Sequence, residues 1–240
     1  MKLAIMQPTY LPWAGYFNLI ASVDTFVFLD DVQFARRSWQ QRNRIMMAGR
    51  EHMLTVPVDS KGRRDQLISE VVTDESQSWR KKHLGSLRSA YGSQPDGKVM
   101  LEIIGNCLET NTNLLVDVNI GIIKSLSEAM GLNTPILKAS ELRCAGSKSQ
   151  HLLNICHELG ADTYLSAAGS REYIEEEGCF ARSEVVVEYQ HFQPEVYPQK
   201  GSAEFVPYLS VVDVIANIGF EGAREYVSRV AIEAPEECTI

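Results

Sequence analysis

No stretch of the chain stays apolar for the roughly twenty residues that span a bilayer, so the sequence offers no transmembrane helix. The amino end carries one lysine and a short apolar run that stops at Gln7-Pro8, too little for a secretory signal. Cysteine is scarce. Cys107, Cys144, Cys156, Cys179 and Cys238 are scattered, odd in number and never spaced Cys-x-x-Cys. That excludes an obvious zinc site or disulfide framework and fits a reducing cytoplasm, the expected location. Positive charge is also short: the net charge of -8 argues against a general nucleic-acid binder. There is no Gly-x-x-x-x-Gly-Lys loop and no Gly-x-Ser-x-Gly elbow, and His52, His83, His151, His157 and His191 show no metal spacing. What remains is an ordinary soluble composition over 240 residues, enough for a substantial core in one large or two small domains.

The chain turns on Gln7-Pro8-Thr9-Tyr10-Leu11-Pro12-Trp13, which follows the apolar run 3–6. Pro8 ends ladder donation, and Pro12 is tolerated at the start of a helix, so the segment predicts strand, polar turn and helix over about 12–23. Residues 25–29 form a second wholly apolar strand, which completes a βαβ unit. The runs 45–47 and 53–58 around Ala48-Gly49-Arg50 suggest a hairpin. Lys61-Gly62-Arg63-Arg64-Asp65 reads as a basic loop, and 67–72 as a further strand. Three helical patterns between about 76 and 131 make a helical insert in the middle third. Ile136-Leu137 resumes a strand. Ser147 and Gln150 have capping-box spacing at the head of a helix that Gly160 ends. Residues 162–166 and 185–187 are strands; 209–218 and 222–230 are helices. The expected fold is α/β, a mostly parallel sheet with nucleotide-binding-like βαβ units, in one domain over 1–235 with a tail at 236–240.

Ligands of such sheets bind at the carboxyl ends of the strands. There Gln7 and Tyr10 offer an amide and a phenol, and Trp13 a stacking face. Asp30-Asp31 ends the second strand. Adjacent side chains diverge, so one of the two faces the cleft, and the sequence leaves open which. That carboxylate suits an ammonium, a base role or Mg²⁺. Arg42 and Arg44 near Trp39 have the composition of a loop for phosphates and rings, with a plain basic loop as the alternative. Ser147-Lys148 stands at a helix start, which favours anions. Ser166, Gly169 and Ser170 form a second such turn. His191 is the histidine placed best for catalysis, just after a strand.

The blocks Gln-Pro-x-Tyr-Leu-Pro-Trp-x-Gly-Tyr-Phe (7–17), Phe-x-x-Leu-Asp-Asp-Val-Gln-Phe (26–34) and Trp-x-x-Arg-Asn-Arg-Ile (39–45) resemble the WbqC-like family. So do Gly-Ala-Asp-x-Tyr-Leu-Ser (160–166), Tyr-Pro-Gln (197–199) and Leu-Ser-x-x-Asp (209–213). Gln33, Asn43 and Gln199 stand in these motifs and join the candidate substrate contacts. Members occur among genes for bacterial surface polysaccharides, especially O-antigen with modified amino sugars. The resemblance therefore implies modification of a nucleotide-linked amino sugar, such as N-acylation by an amino acid like glycine. In that scheme Asp30, Asp31, Tyr10 and His191 are the catalytic candidates. The expected partners are a nucleotide sugar and an acyl donor, with self-association left open. ATP, another activated donor and Mg²⁺ are the candidate cofactors. The alternatives are a non-catalytic module that binds a nucleotide sugar or helps assembly, and a glycosyltransferase, which lacks its Asp-x-Asp here. A looser similarity links the first turn to amide-forming nucleotide-binding enzymes such as pantothenate synthetase, with Gln7 and Tyr10 where those carry histidines.

Overall fold

Leu3, Ala4 and Ile5 are buried on both sides of β1 (Lys2–Met6), as a central strand of a covered parallel sheet requires. After Pro8 ends it, α1 (Ala14–Ala21) leads to β2 (Thr25–Phe28), which pairs with β1 in parallel, Leu3 opposite Thr25 and Met6 opposite Phe28. An antiparallel hairpin follows, β3 (Arg42–Met47) and β4 (Arg50–Thr55). Its link is Ala48-Gly49, with φ of 51° and 75°, the left-handed pair that matches strand twist and that glycine adopts without strain. Then come α2 (Trp79–Tyr91), α3 (Gly97–Leu108) and α4 (Leu115–Ala129), β5 (Ile136–Lys138) and the single turn α5 (Ala139–Leu142). The chain continues through α6 (Lys148–Glu158), β6 (Thr163–Ser166), α7 (Arg171–Glu177), β7 (Val186–Tyr189) and α8 (Val211–Val227). This computed structural model describes residues 1–59, 62–63 and 65–229. Lys61 and Arg64 of the basic loop, Val230, Cys238 and the tail at 236–240 lie outside the described residues.

Among the described residues the five parallel strands stand in the order β5-β2-β1-β6-β7. Counted along the chain, that is third, second, first, fourth, fifth, the order of doubly wound nucleotide-binding sheets. The expected α/β fold is therefore present. Ala4, Phe26 and Phe28 point into one core with α1, α2, α3, α4 and α8. Leu3, Ile5 and Val27 point into the other, against α6 and α7. Each fully buried Phe or Ile contributes about 1.5–3 kcal/mol, so both faces are firmly covered. The helix after β1 and the helix before β6 lie on opposite faces. That reversal opens a crevice beyond the carboxyl ends of β1 and β6, where this architecture holds ligands.

Two expectations need adjusting. Residues 67–72 are no strand. Glu70 takes the Leu67 N–H at 2.9 Å and bends Ile68–Glu70 into a 3₁₀ turn; only Leu67 and Val72 bridge their neighbours, Gln33 and Leu114. The break between the last two helices falls at Gly219, where the Phe220 N–H donates to the Asp96 carboxylate at 3.0 Å, and helical structure on both sides runs as Val211–Val227.

Candidate functional site

The corner after β1 is held by amides. Asn43 Nδ2 donates to the carbonyls of Tyr10 (3.2 Å) and Leu11 (2.8 Å), and Asn119 Nδ2 to those of Pro8 (3.2 Å) and Gln40 (2.8 Å). Leu11 has φ of 44°, a left-handed conformation that costs a leucine about 1–2 kcal/mol. The two bonds from Asn43 offset that cost and fasten the hairpin across the strand end. Gln7 sits inside the corner, its Oε1 accepting from Gln40 Nε2 at 2.7 Å.

Tyr10 is turned away from the crevice. Its ring is fully buried edge-on to Trp79, and its hydroxyl meets His83 Nδ1 at 2.9 Å. Burial pushes this phenol far above its usual range and pulls His83 down to about 4, so the pair is a neutral stitch between the corner and α2. The catalytic role expected for Tyr10 does not fit this position, because no ligand reaches the hydroxyl without opening the core.

The cleft lies on the other side of the corner. It encloses about 270 Å³ between Met6, Thr9, Trp13, Tyr16, Trp39, Asn43, Arg44 and Tyr208. Trp13 forms one wall, 5.2 Å from the Tyr208 ring and 5.6 Å from Phe192. Trp39, 49% exposed, forms another, with the Arg44 guanidinium 5.7 Å above its ring. Arg44 donates from Nη1 to Glu51 (2.9 Å) and from Nη2 to the Tyr208 carbonyl (3.4 Å). Arg42 shares its side of β3, two residues away. The Nε atoms of both arginines are buried and have no partner among the described residues. Ring-stacking faces and the Arg44 guanidinium thus converge at the end of the central strand. A wider groove of about 960 Å³, lined by Asp162 and Val185, runs along the opposite, amino edge, away from the strand ends that hold ligands.

Gly15 explains why Trp13 can lie where it does. A Cβ at position 15 would stand 2.2–2.7 Å from three atoms of the Trp13 ring. Gly15→Ala is expected to displace that ring, so the usual gain of about 1 kcal/mol for alanine in a helix is lost. Thermal melts will show no stabilisation, and near-UV circular dichroism will show a changed tryptophan environment. A more stable variant with an unaltered spectrum would contradict this packing.

The paired carboxylates diverge, as adjacent strand-end residues do. Asp30, 2% exposed, accepts the Ser140 N–H at 2.9 Å and hydroxyl at 2.7 Å and fixes the start of α5. It is enclosed, which removes it from contact with substrate. Asp31 turns to the α6 face, where His151 Nε2 lies 3.1 Å from both its oxygens. Among the described residues no three His, Cys, Asp or Glu side chains converge as metal ligands.

The α6 start does bind an anion, but one of its own. Glu177 of α7 accepts from the Ser149 N–H (2.9 Å) and hydroxyl, and pairs with Lys148 at 3.1 Å. The two Ser149 bonds, then Lys148, hold its carboxyl down to about 2. Ser147 makes no capping bond, so the expected capping box is absent, and the phosphate expected at Ser147-Lys148 would have to displace Glu177. Ser166 is buried against Tyr164 and Ser170 beyond β6; Gly169 beside them is exposed. Gln33 is exposed, 3.4 Å from Asp65. His191 is exposed in a shallow pocket shared with Lys2, Ser22 and Arg229, and it does not line the cleft it was expected to serve, although the next residue, Phe192, packs on Trp13.

The family model for the WbqC-like protein family matches residues 7–225. The chain belongs to the WbqC-like family. It is 32% identical over 228 residues to the uncharacterized protein Rv1507c of Mycobacterium tuberculosis, covering 94% of this chain and 97% of that relative. No solved structure matches it. The WbqC-like motifs have separate jobs in the fold. Residues 7–17 and 39–45 build the cleft. Tyr-Pro-Gln and Leu-Ser-x-x-Asp meet in a buried knot: Asp213 accepts from Tyr91 OH (2.9 Å), Tyr197 OH (2.7 Å) and Gln199 Nε2 (3.1 Å). Gln199 also closes the loop to Val206, through its carbonyl (2.9 Å) and its N–H (2.8 Å). Gln199 therefore anchors the strap that carries Tyr208 and makes no cleft contact. Sequence reasoning missed Tyr208 and His151. Tyr208 stands two residues before the Ser210 N-cap in a stretch without periodicity, and nothing in the local pattern sets His151 apart from its neighbours on α6.

Proposed function

We propose that this WbqC-like protein is an enzyme of bacterial surface polysaccharide (O-antigen) biosynthesis that N-acylates a nucleotide-linked amino sugar, with an amino acid such as glycine as the acyl group. The observation that carries this is the cleft beyond β1, where Trp13, Trp39 and Tyr208 surround Arg44. Aromatic faces stack bases and rings, and guanidinium forks suit diphosphates. Trp13 and Trp39 hold the ring system, and Arg44 with Arg42 holds the phosphates. In the transfer the amine nitrogen bonds the acyl carbon of an activated donor, a thioester or acyl phosphate. The bond from that carbon to the leaving group breaks, the leaving group keeps the electron pair, and the amine proton passes to a base.

One observation favours a second reading, a nucleotide-sugar binding or assembly module. Met6, Thr9, Trp13, Tyr16, Trp39, Asn43 and Tyr208 supply no acid–base group to the cleft at neutral pH. Mass spectrometry decides between them. The protein is incubated with deoxyamino-sugar nucleotides, amino acids, ATP and acyl thioesters. A mass gain equal to one acyl group on the sugar nucleotide supports the enzyme. Binding of the nucleotide without any mass change across all donors supports the module.

A further inference from the structure

We infer that Asp31, held by His151, is the subsite for the protonated primary amine of the substrate, an inference that rests on the nucleotide-sugar reading of the cleft. Of the two carboxylates beyond β2, Asp30 is closed off by Ser140, whereas the Asp31 side chain keeps 20% of its surface exposed. His151 is itself nearly buried, on the first turns of α6. Its Nε2 lies 3.1 Å from both Asp31 oxygens, which orients the carboxylate while part of it stays exposed. The turn before α6 presses on the ring. His151 Nδ1 faces the Ala145 carbonyl at 3.4 Å, and Asn154 Nδ2 donates to the same carbonyl at 2.8 Å. Gly146, with φ of 112°, has no Cβ, and one there would sit 3.2 Å from the His151 backbone.

Position and charge agree with an ammonium. The Leu29 N–H donates to the Met6 carbonyl at 3.0 Å, so the exits of β1 and β2 are adjacent. Asp31 follows Leu29 by two residues, at most about 7 Å along the chain. Met6 lines the aromatic cleft, so an extended nucleotide sugar with its ring system there can bring its far end toward Asp31. Lys148, the cation on the same helix start, is engaged by Glu177 at 3.1 Å and does not fill the place. A partly exposed carboxylate, oriented by a nearly buried donor and without a lysine or arginine ion-pair partner among the described residues, selects a cationic hydrogen-bond donor. His151 is a positioning residue here, because it touches Asp31 and not the substrate.

Isothermal titration tests this with UDP- and dTDP-linked aminodideoxyhexoses, each against a counterpart carrying a hydroxyl in place of the amine. The wild-type protein is expected to bind the amine form about tenfold more tightly, the worth of one charge-assisted hydrogen bond. Asp31→Asn brings the two forms to similar affinity, chiefly by weakening the amine form. His151→Ala reduces the discrimination, and His151→Gln, which keeps an N–H near the Nε2 position, restores most of it. A merely structural role for His151 predicts that melting temperature and both affinities fall together, with no change in their ratio. Tight binding of both forms without discrimination, or discrimination that survives in a folded Asp31→Asn variant, overturns the inference and leaves the nucleotide-sugar reading standing. Binding of neither form overturns both.

Discussion

Arg44→Ala lowers affinity for a nucleotide sugar by about a hundredfold and leaves the fold intact. The two halves of that expectation rest on different magnitudes. Within the protein, Arg44 pairs with the half-exposed Glu51, and such pairs contribute about 0–1 kcal/mol. Its place over the Trp39 ring adds about 0.5–1 kcal/mol. Against a phosphate, a guanidinium fork makes two charge-assisted bonds of about 1.5–3 kcal/mol each, part of which is offset by loosening from Glu51. A net loss of about 3 kcal/mol is two decades in Kd. Arg44→Lys is expected to recover little, since a lysine keeps the charge but neither the fork nor the stacking plane. Titration calorimetry gives the affinities, and thermal melts check that both variants remain folded. Affinity unchanged in Arg44→Ala, or fully restored by lysine, would remove the phosphate from this cleft.

How far such a site is legible in advance depends on the range of the contacts that make it. The apolar runs at 3–6 and 25–29 are local, and they specify covered parallel strands, so the sheet and its carboxyl edge follow from the sequence. Trp13, Trp39, Asn43 and Arg44 meet because both short segments flank that edge, and their composition already pointed there. The direction of Tyr10 was not legible. In a turn with a left-handed Leu11 and two prolines no periodicity assigns a side chain to the core or the crevice, and the deciding partner, His83, lies 73 residues away. The helix start at 147–150 shows the same limit. Its chemistry as an anion site was readable from local residues, but the anion proved to be Glu177, 28 residues beyond Ser149. Asp30-Asp31 sits between these cases. Alternation predicts divergence, and divergence is found, yet only Ser140 and His151 reveal which carboxylate stays open.

Asp213→Ala is expected to destabilise the protein by about 3 kcal/mol and to dismantle one wall of the cleft. Asp213 is 1% exposed and accepts three side-chain donors, and its loss orphans Tyr91, Tyr197 and Gln199 at about 1–3 kcal/mol for each donor that finds no water. Relief of the buried carboxylate offsets part of that sum. For a chain of this size the result is a fall in Tm of about 6–12 °C. Because Tyr197 and Gln199 root the strap that ends in Tyr208, the ring facing Trp13 loses its support, and nucleotide-sugar affinity falls as well. Asp213→Asn isolates the charge. Burial raises the Asp213 carboxyl above its usual range, although Tyr197, Tyr91 and Gln199 pull it back. A carboxyl with a raised folded pKa contributes stability that is whole below its unfolded value, about 3.9, and that fades as pH rises through the folded value. Asparagine does not titrate, so the deficit of Asp213→Asn relative to wild type is greatest at the acid end and narrows toward neutrality. Denaturant unfolding of the two proteins from about pH 4 to pH 7 reads this directly. A gap that stays constant or widens with pH would mean that the carboxylate is stabilised in place by its donors, and that the strap is anchored by the charge as well as by the hydrogen bonds.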